Sequence, residues 1–79
     1  MTPTRYPGEW EQHEPHGTVV VRAARALMNS GDTAYVRGWK GPYAGGDPIT
    51  TPCASLEEAF ATAEALLALW SPARELLAP

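Results

Sequence analysis

Cysteine is almost missing from this chain. Cys53 stands alone, which excludes an intramolecular disulfide framework and any zinc site built from several cysteines. A reducing, cytoplasmic setting is the matching expectation. Long hydrophobic runs are missing too: no stretch approaches the ~20 apolar residues that cross a bilayer. The opening residues, MTPTRYPGEW, contain no apolar h-region, so the chain reads as neither membrane-spanning nor exported through a signal peptide. Residues 38–46 are glycine-rich but follow neither the G-x-x-x-x-G-K-[ST] nor the G-x-G-x-x-G order, which removes nucleotide hydrolysis. Positive charge is scarce, with six Lys and Arg against nine Asp and Glu and a formal net charge of −3. Such a balance lacks the general basic bias of a nonspecific nucleic-acid binder.

What is present suits one small folded domain. The hydrophobic fraction is 44% over 79 residues, typical of a folded chain rather than a disordered one. A chain of this length buries roughly 60–65% of its unfolded surface, so the core is small. Eight prolines and seven glycines assign much of the chain to turns and loops. Charge is segregated along the sequence: Arg22, Arg25, Arg37 and Lys40 fall in the middle, whereas Glu9, Glu11, Glu14 and Glu57, Glu58, Glu64, Glu75 make both ends acidic.

The best-specified element is SLEEAFATAEALLALW, Ser55 to Trp70. Ser55 followed by Glu58 is the S-x-x-E capping box, in which each side chain satisfies a backbone donor at the helix start. Glu57 and Glu58 sit at the positive end of the macrodipole, and Pro72 stops the helix just past Trp70. Leu56, Phe60, Ala63, Leu67 and Trp70 recur at spacings of three and four and predict a buried stripe. Ala59, Ala61, Ala65 and Ala68 favour helix while leaving room for close approach. Leu66 and Leu69 widen the apolar arc, and the surplus makes a homodimer a secondary expectation.

The remaining chain must supply the surface this helix packs on. Residues 1–7 read as a flexible arm, and residues 8–79 as a single small α+β domain. Gly8–His13 reads as a strand with Trp10 inward, and Glu14-Pro15-His16-Gly17 as the turn of a hairpin. Residues 18–29 carry two conflicting signals: Thr18–Val21 prefers β, while the longer segment winds into an amphipathic helix with Arg22 and Arg25 on its polar side. We adopt the strand, with the helix as the alternative. Asn29–Asp32 is a turn, and Thr33–Trp39 the clearest strand, with Tyr35, Arg37 and Trp39 on one face and Ala34 and Val36 on the other. Gly41–Pro48 is loop, Ile49–Thr51 a short edge strand, and Ala73–Pro79 a helical turn. The predicted fold is therefore α+β, a small antiparallel sheet of two to four short strands packed by one C-terminal amphipathic helix.

Three residue sets carry candidate chemistry. His13 and His16 stand near Glu9, Glu11 and Glu14, a donor set suited to a divalent transition metal. Pro15 between them prevents a shared helical face, so the exposed polar turn is the preferred reading and no metal is assigned. Cys53 with a histidine lacks a third orienting group, and a small buried thiol is preferred. Arg37-Gly38-Trp39-Lys40-Gly41-Pro42-Tyr43 interleaves cations with aromatics, as single-stranded nucleic-acid platforms and protein-docking anchors both do. The competing reading is a strand end with Trp39 in the core and solvated charges.

In size, acidic balance, β-leaning front with scattered aromatics, and closing helix beginning Ser55-Leu56-Glu57-Glu58-Ala59, the chain resembles small phage and mobile-element proteins of the anti-CRISPR inhibitor type. That resemblance implies a compact, non-enzymatic protein that binds a host CRISPR effector ribonucleoprotein in the host-cell cytoplasm and blocks nucleic-acid access. It carries over no individual residue. From the chain's own chemistry the partner-binding residues are Glu9, Glu11, Glu14, Arg37, Trp39, Lys40 and Tyr43. The acidic group would occupy a nucleic-acid channel and the aromatic-basic group would dock on protein. The alternative is a small nucleic-acid-binding domain using Arg22, Arg25, Arg37, Trp39, Lys40 and Tyr43. No acid, base and nucleophile converge in the sequence, so no enzyme and no cofactor are expected.

Overall fold

A computed structural model of the chain describes residues 1–23, 33–41 and 46–71. Among them are five strands, β1 (Thr2–Pro3), β2 (Glu9–Glu14), β3 (Gly17–Ala23), β4 (Ala34–Lys40) and β5 (Ile49–Cys53), followed by one helix, α1 (Leu56–Trp70). The strands form one sheet in the order β1-β2-β3-β4-β5, and every neighbouring pair is antiparallel. The α+β class holds, with five strands instead of two to four. The extra strand comes from the segment read as an arm, where Thr2 pairs with Glu11 and Pro3 with Trp10. Two residues with a proline give no alternation to read, so only pairing reveals them.

The β2–β3 hairpin closes as its turn chemistry requires. Glu14 pairs with Gly17, leaving Pro15 and His16 as the two central residues, with proline at the position that favours its fixed φ. The Gly41 N–H donates to the His16 carbonyl at 2.9 Å, tying this turn to the end of β4. In β3 the local β preference prevails over the helical period. Val19 and Val21 are fully buried, and each residue from Gly17 to Ala23 has a partner in β4. Residues 24–29 of the ambiguous segment lie outside the described residues, as does the 73–79 tail.

Alternation along the strands sorts the sheet into two faces. One carries Trp10, Val19, Val21, Ala34, Val36 and Cys53, and α1 packs on it. Val19, Val21, Val36, Ala59 and Ala63 have no solvent exposure, and full burial of each valine contributes about 1.5–3 kcal/mol. The deepest helix positions are Ala59, Ala63 and Leu67, with Leu56, Phe60, Leu66 and Trp70 packed around them. This rotates the expected stripe, since Ala59 replaces Phe60 at its centre. An alanine at the contact lets the helix axis come close to a flat valine surface, and Phe60 moves to the flank. There it meets Trp10 edge-on, ring centroids 5.2 Å apart.

The far end of the helix presses still closer. Trp70 lies over Gly17 and Gly38: a Cβ built on Gly17 would fall 2.5 Å from Trp70 Cε3, and one on Gly38 2.7 Å from Trp70 Cη2. Glycine on adjacent strands thus makes the recess that receives the indole. The helix start is capped by Ser55, whose Oγ accepts from the Glu58 N–H at 3.1 Å. The Glu58 carboxylate, however, accepts from the Ala54 N–H at 2.9 Å, one residue further back than the capping box predicts. At the other end Ser71 is extended, as the residue before a proline prefers. Both outer strands carry a proline, Pro3 in β1 and Pro52 in β5, in keeping with the confinement of strand proline to sheet edges.

Candidate interaction face

The opposite face of the sheet is built from the other alternate residues. Register assigns its rows: Glu9, Arg22, Tyr35 and Pro52 lie across the sheet at one level, Glu11, Val20, Arg37 and Thr50 at the next, and His13, Thr18 and Trp39 at the third. α1 occupies the other face, and among the described residues no further helix lies on this one. Arg22 and Arg37 are exposed, while Glu9, Glu11, Val20, Tyr35 and Trp39 are half-buried. Among the described residues this mixed face of aromatic, aliphatic and charged side chains is the solvated side of an antiparallel sheet.

Its side chains are held by one another. Arg37 Cζ stands 5.2 Å from the centroid of the Tyr35 ring, a cation–π contact worth about 0.5–1 kcal/mol where exposed. Trp39 Nε1 donates to the Gly46 carbonyl at 3.3 Å, which fixes the indole at the sheet end. On β2, Glu11 Oε2 lies 3.3 Å from His13 Nε2, and His13 Nδ1 is within hydrogen-bonding distance, 3.1 Å, of Thr18 Oγ1. Glu9 accepts from the Thr4 hydroxyl at 2.9 Å, so β1 helps to orient the acidic row. The order carboxylate, imidazole, hydroxyl has the connectivity of a nucleophile relay. Thr18 is only 4% exposed, however, and its oxygen is not presented to a substrate.

The face gathers residues that the sequence separates into two groups. Glu9 and Glu11 stand on β2, Arg37 and Trp39 on β4, with β3 between them. Glu14 and Lys40 have the opposite parity and flank Gly17 across the strands on the helix side. Glu14 accepts there from Gln12 Nε2 at 3.0 Å. Both therefore lie off this face. Tyr43 and Arg25 lie outside the described residues. Trp39 is on the open face, not in the core. His13, Thr18 and Val20 join the face unanticipated, although continuing the period-two reading from Thr18 through Arg22 places the two β3 residues there.

Charge on the face is balanced and sorted. Glu9 and Glu11 form an acidic row on β2, and Arg22 and Arg37 lie on β3 and β4. Among the described residues no group of three or more His, Cys, Asp or Glu is placed to hold a metal ion. Among them, too, no helix is long and apolar enough to cross a membrane. Comparison with family models, curated proteins and solved structures gives no significant match. The functional reading therefore stands on the chain itself.

Proposed function

We propose that this chain is a non-enzymatic protein-binding module that docks a protein or ribonucleoprotein partner on its open sheet face. The observation that carries the reading is the gathering of Glu9, Glu11, Arg22, Tyr35, Arg37 and Trp39 on one side of a sheet whose other side is filled by α1. Arg, Tyr and Trp are the side chains that most often anchor protein interfaces. A face bearing the two charge signs on separate strands selects partners by pattern and steers their approach. It does not accumulate the single sign that phosphate backbones require.

The narrower form of the proposal is an anti-CRISPR inhibitor acting in the host-cell cytoplasm. It rests on the resemblance in size, acidic balance and closing helix, with Glu9 and Glu11 as the carboxylates that would stand in for phosphates in an effector's nucleic-acid channel. A second reading, direct binding of nucleic acid, is favoured by the row Tyr35, Arg37, Trp39 with Arg22 beside it. It ranks below the first because Glu9 and Glu11 share the same surface.

The immobilised protein is exposed to bacterial lysates, with and without nuclease, including one that expresses a CRISPR effector complex. Retention of the effector after nuclease treatment, lost on Arg37→Glu or Trp39→Ala, supports the inhibitor. Retention that vanishes with nuclease puts nucleic acid first. A folded Arg37→Glu, Trp39→Ala double variant that keeps every wild-type partner removes the face from consideration.

A further inference from the structure

We propose that the open face is self-complementary and that its occupant is a second copy of this chain, packed sheet to sheet about a two-fold axis running along β3. The inference rests on the reading of that face as a protein-binding surface, and it names the partner. An isologous interface needs one patch that matches itself after rotation. Here an axis parallel to the strands keeps each cross-strand level at its own height and exchanges β2 with β4. Glu11 of one copy then lies over Arg37 of the second copy, and the same pair repeats on the other side of the axis. Val20, the central apolar residue of its level, meets Val20 of the second copy on the axis itself.

The neighbouring levels are mixed. Glu9 comes over Tyr35 of the second copy, a carboxylate facing a phenolic hydroxyl. His13 comes over Trp39 of the second copy, an imidazole facing an indole. Arg22 meets Arg22 of the second copy near the axis, a like-charge contact that Glu9 on the adjacent strand of each copy offsets. The other in-plane axis, perpendicular to the strands, would set β2 on β2 and place glutamate against glutamate. Charge therefore favours the first axis, whose two Glu11–Arg37 pairs outweigh one Arg22–Arg22 contact, over the second, which sets each of these strands on itself. The resulting arrangement is aligned sheet packing, in which two sheets lie about 10 Å apart with strands nearly parallel.

Two of the remaining surfaces are less suited to a second copy. The helix side of the sheet is already filled, and both sheet edges carry a proline that withholds a backbone donor from a further strand. Size sets the expected strength. Five strands at about 4.8 Å spacing and about 20 Å of strand length give roughly 500 Å² per copy. The total of roughly 1,000 Å² lies at the lower bound for a specific interface. Dimerisation is accordingly reversible on dilution.

Sedimentation equilibrium of the intact chain over about two decades of concentration tests this. The expected mass rises from 8.5 kDa to twice that value. Glu11→Arg and Arg37→Glu, both at outward positions, each place like charges opposite one another and hold the chain at monomer mass. Mixed in equal amounts they recover the doubled mass, because each carries the charge the other has lost. Circular dichroism and urea midpoints verify that both variants fold. A wild-type chain that remains at 8.5 kDa throughout overturns the proposal, as does a mixture of folded variants that fails to associate. If the wild type is monomeric yet these substitutions abolish capture of a lysate protein, the dimer is removed and the protein-binding reading stands.

Discussion

Adding a single methyl group at Gly38 or Gly17 should loosen the whole molecule at one identifiable contact. Gly38→Ala puts a Cβ 2.7 Å from Trp70 Cη2, 3.2 Å from Leu66 Cδ1 and 3.4 Å from Trp70 Cζ3. Trp70 is the last residue of α1, so its ring can yield only by lifting the final turn or adopting a worse rotamer. Overpacking of this kind costs about 1–3 kcal/mol, from which about 0.5–1 kcal/mol is recovered by replacing glycine within a strand. The net loss is about 0.5–2 kcal/mol. For a domain of this size each kcal/mol lowers Tm by about 4–8 °C.

Gly17→Ala should cost more. Its Cβ would lie 2.5 Å from Trp70 Cε3 and also 3.2 Å from the Trp39 carbonyl oxygen, and a backbone atom held in the sheet cannot swing aside as a ring can. The assay is urea unfolding followed by circular dichroism for both variants, alone and combined with Trp70→Leu. Removing the indole should erase the overpacking at Gly38, giving a coupling of about 1–3 kcal/mol in the double-mutant cycle. A Gly38→Ala protein as stable as the wild type, or costs that simply add, would refute the account of Trp70 as the reason these positions are glycine.

Ser55→Ala removes the acceptor for the Glu58 N–H and should destabilise the fold by about 1 kcal/mol, read as a lower urea midpoint with an unchanged m-value. Ala63→Leu inserts a branched side chain where α1 meets the sheet without exposure; a loss of about 2 kcal/mol or more is expected by thermal melting, and a neutral result would mean that the helix does not sit as close as described. Cys53 is 2% exposed, so an aromatic disulfide reagent should label it far more slowly in the native protein than in urea, a comparison followed by absorbance.

Much of this fold was legible because its signals are local. Ser55, Glu58, Trp70 and the following proline delimit α1 to within a residue, and the alternation of Ala34, Val36 with Tyr35, Arg37, Trp39 correctly separates the two faces of β4. The helix rotation was hidden by size. Periodicity favours Phe60 as a core residue, but the flat valine surface admits Ala59 and turns the larger ring toward Trp10. β1 was hidden for the opposite reason, since two residues hold no pattern and its existence depends on β2. The candidate face was half legible. Its acidic and aromatic-basic groups stand out separately in the sequence, whereas their meeting on one surface depends on the β2–β3–β4 register, and the same register sends Glu14 and Lys40 to the other side.

The prolines at Pro3 and Pro52 bear on how such a chain behaves in a crowded cell. An open antiparallel sheet with two bare rims is a template on which identical molecules can polymerise strand upon strand, the geometry of fibrils. Each rim here lacks one of the backbone hydrogens that the next strand would need. Growth in the plane of the sheet is therefore disfavoured at both rims by covalent structure. The proposed association through the broad side, by contrast, would be finite, because two faces that meet in this way are both used up.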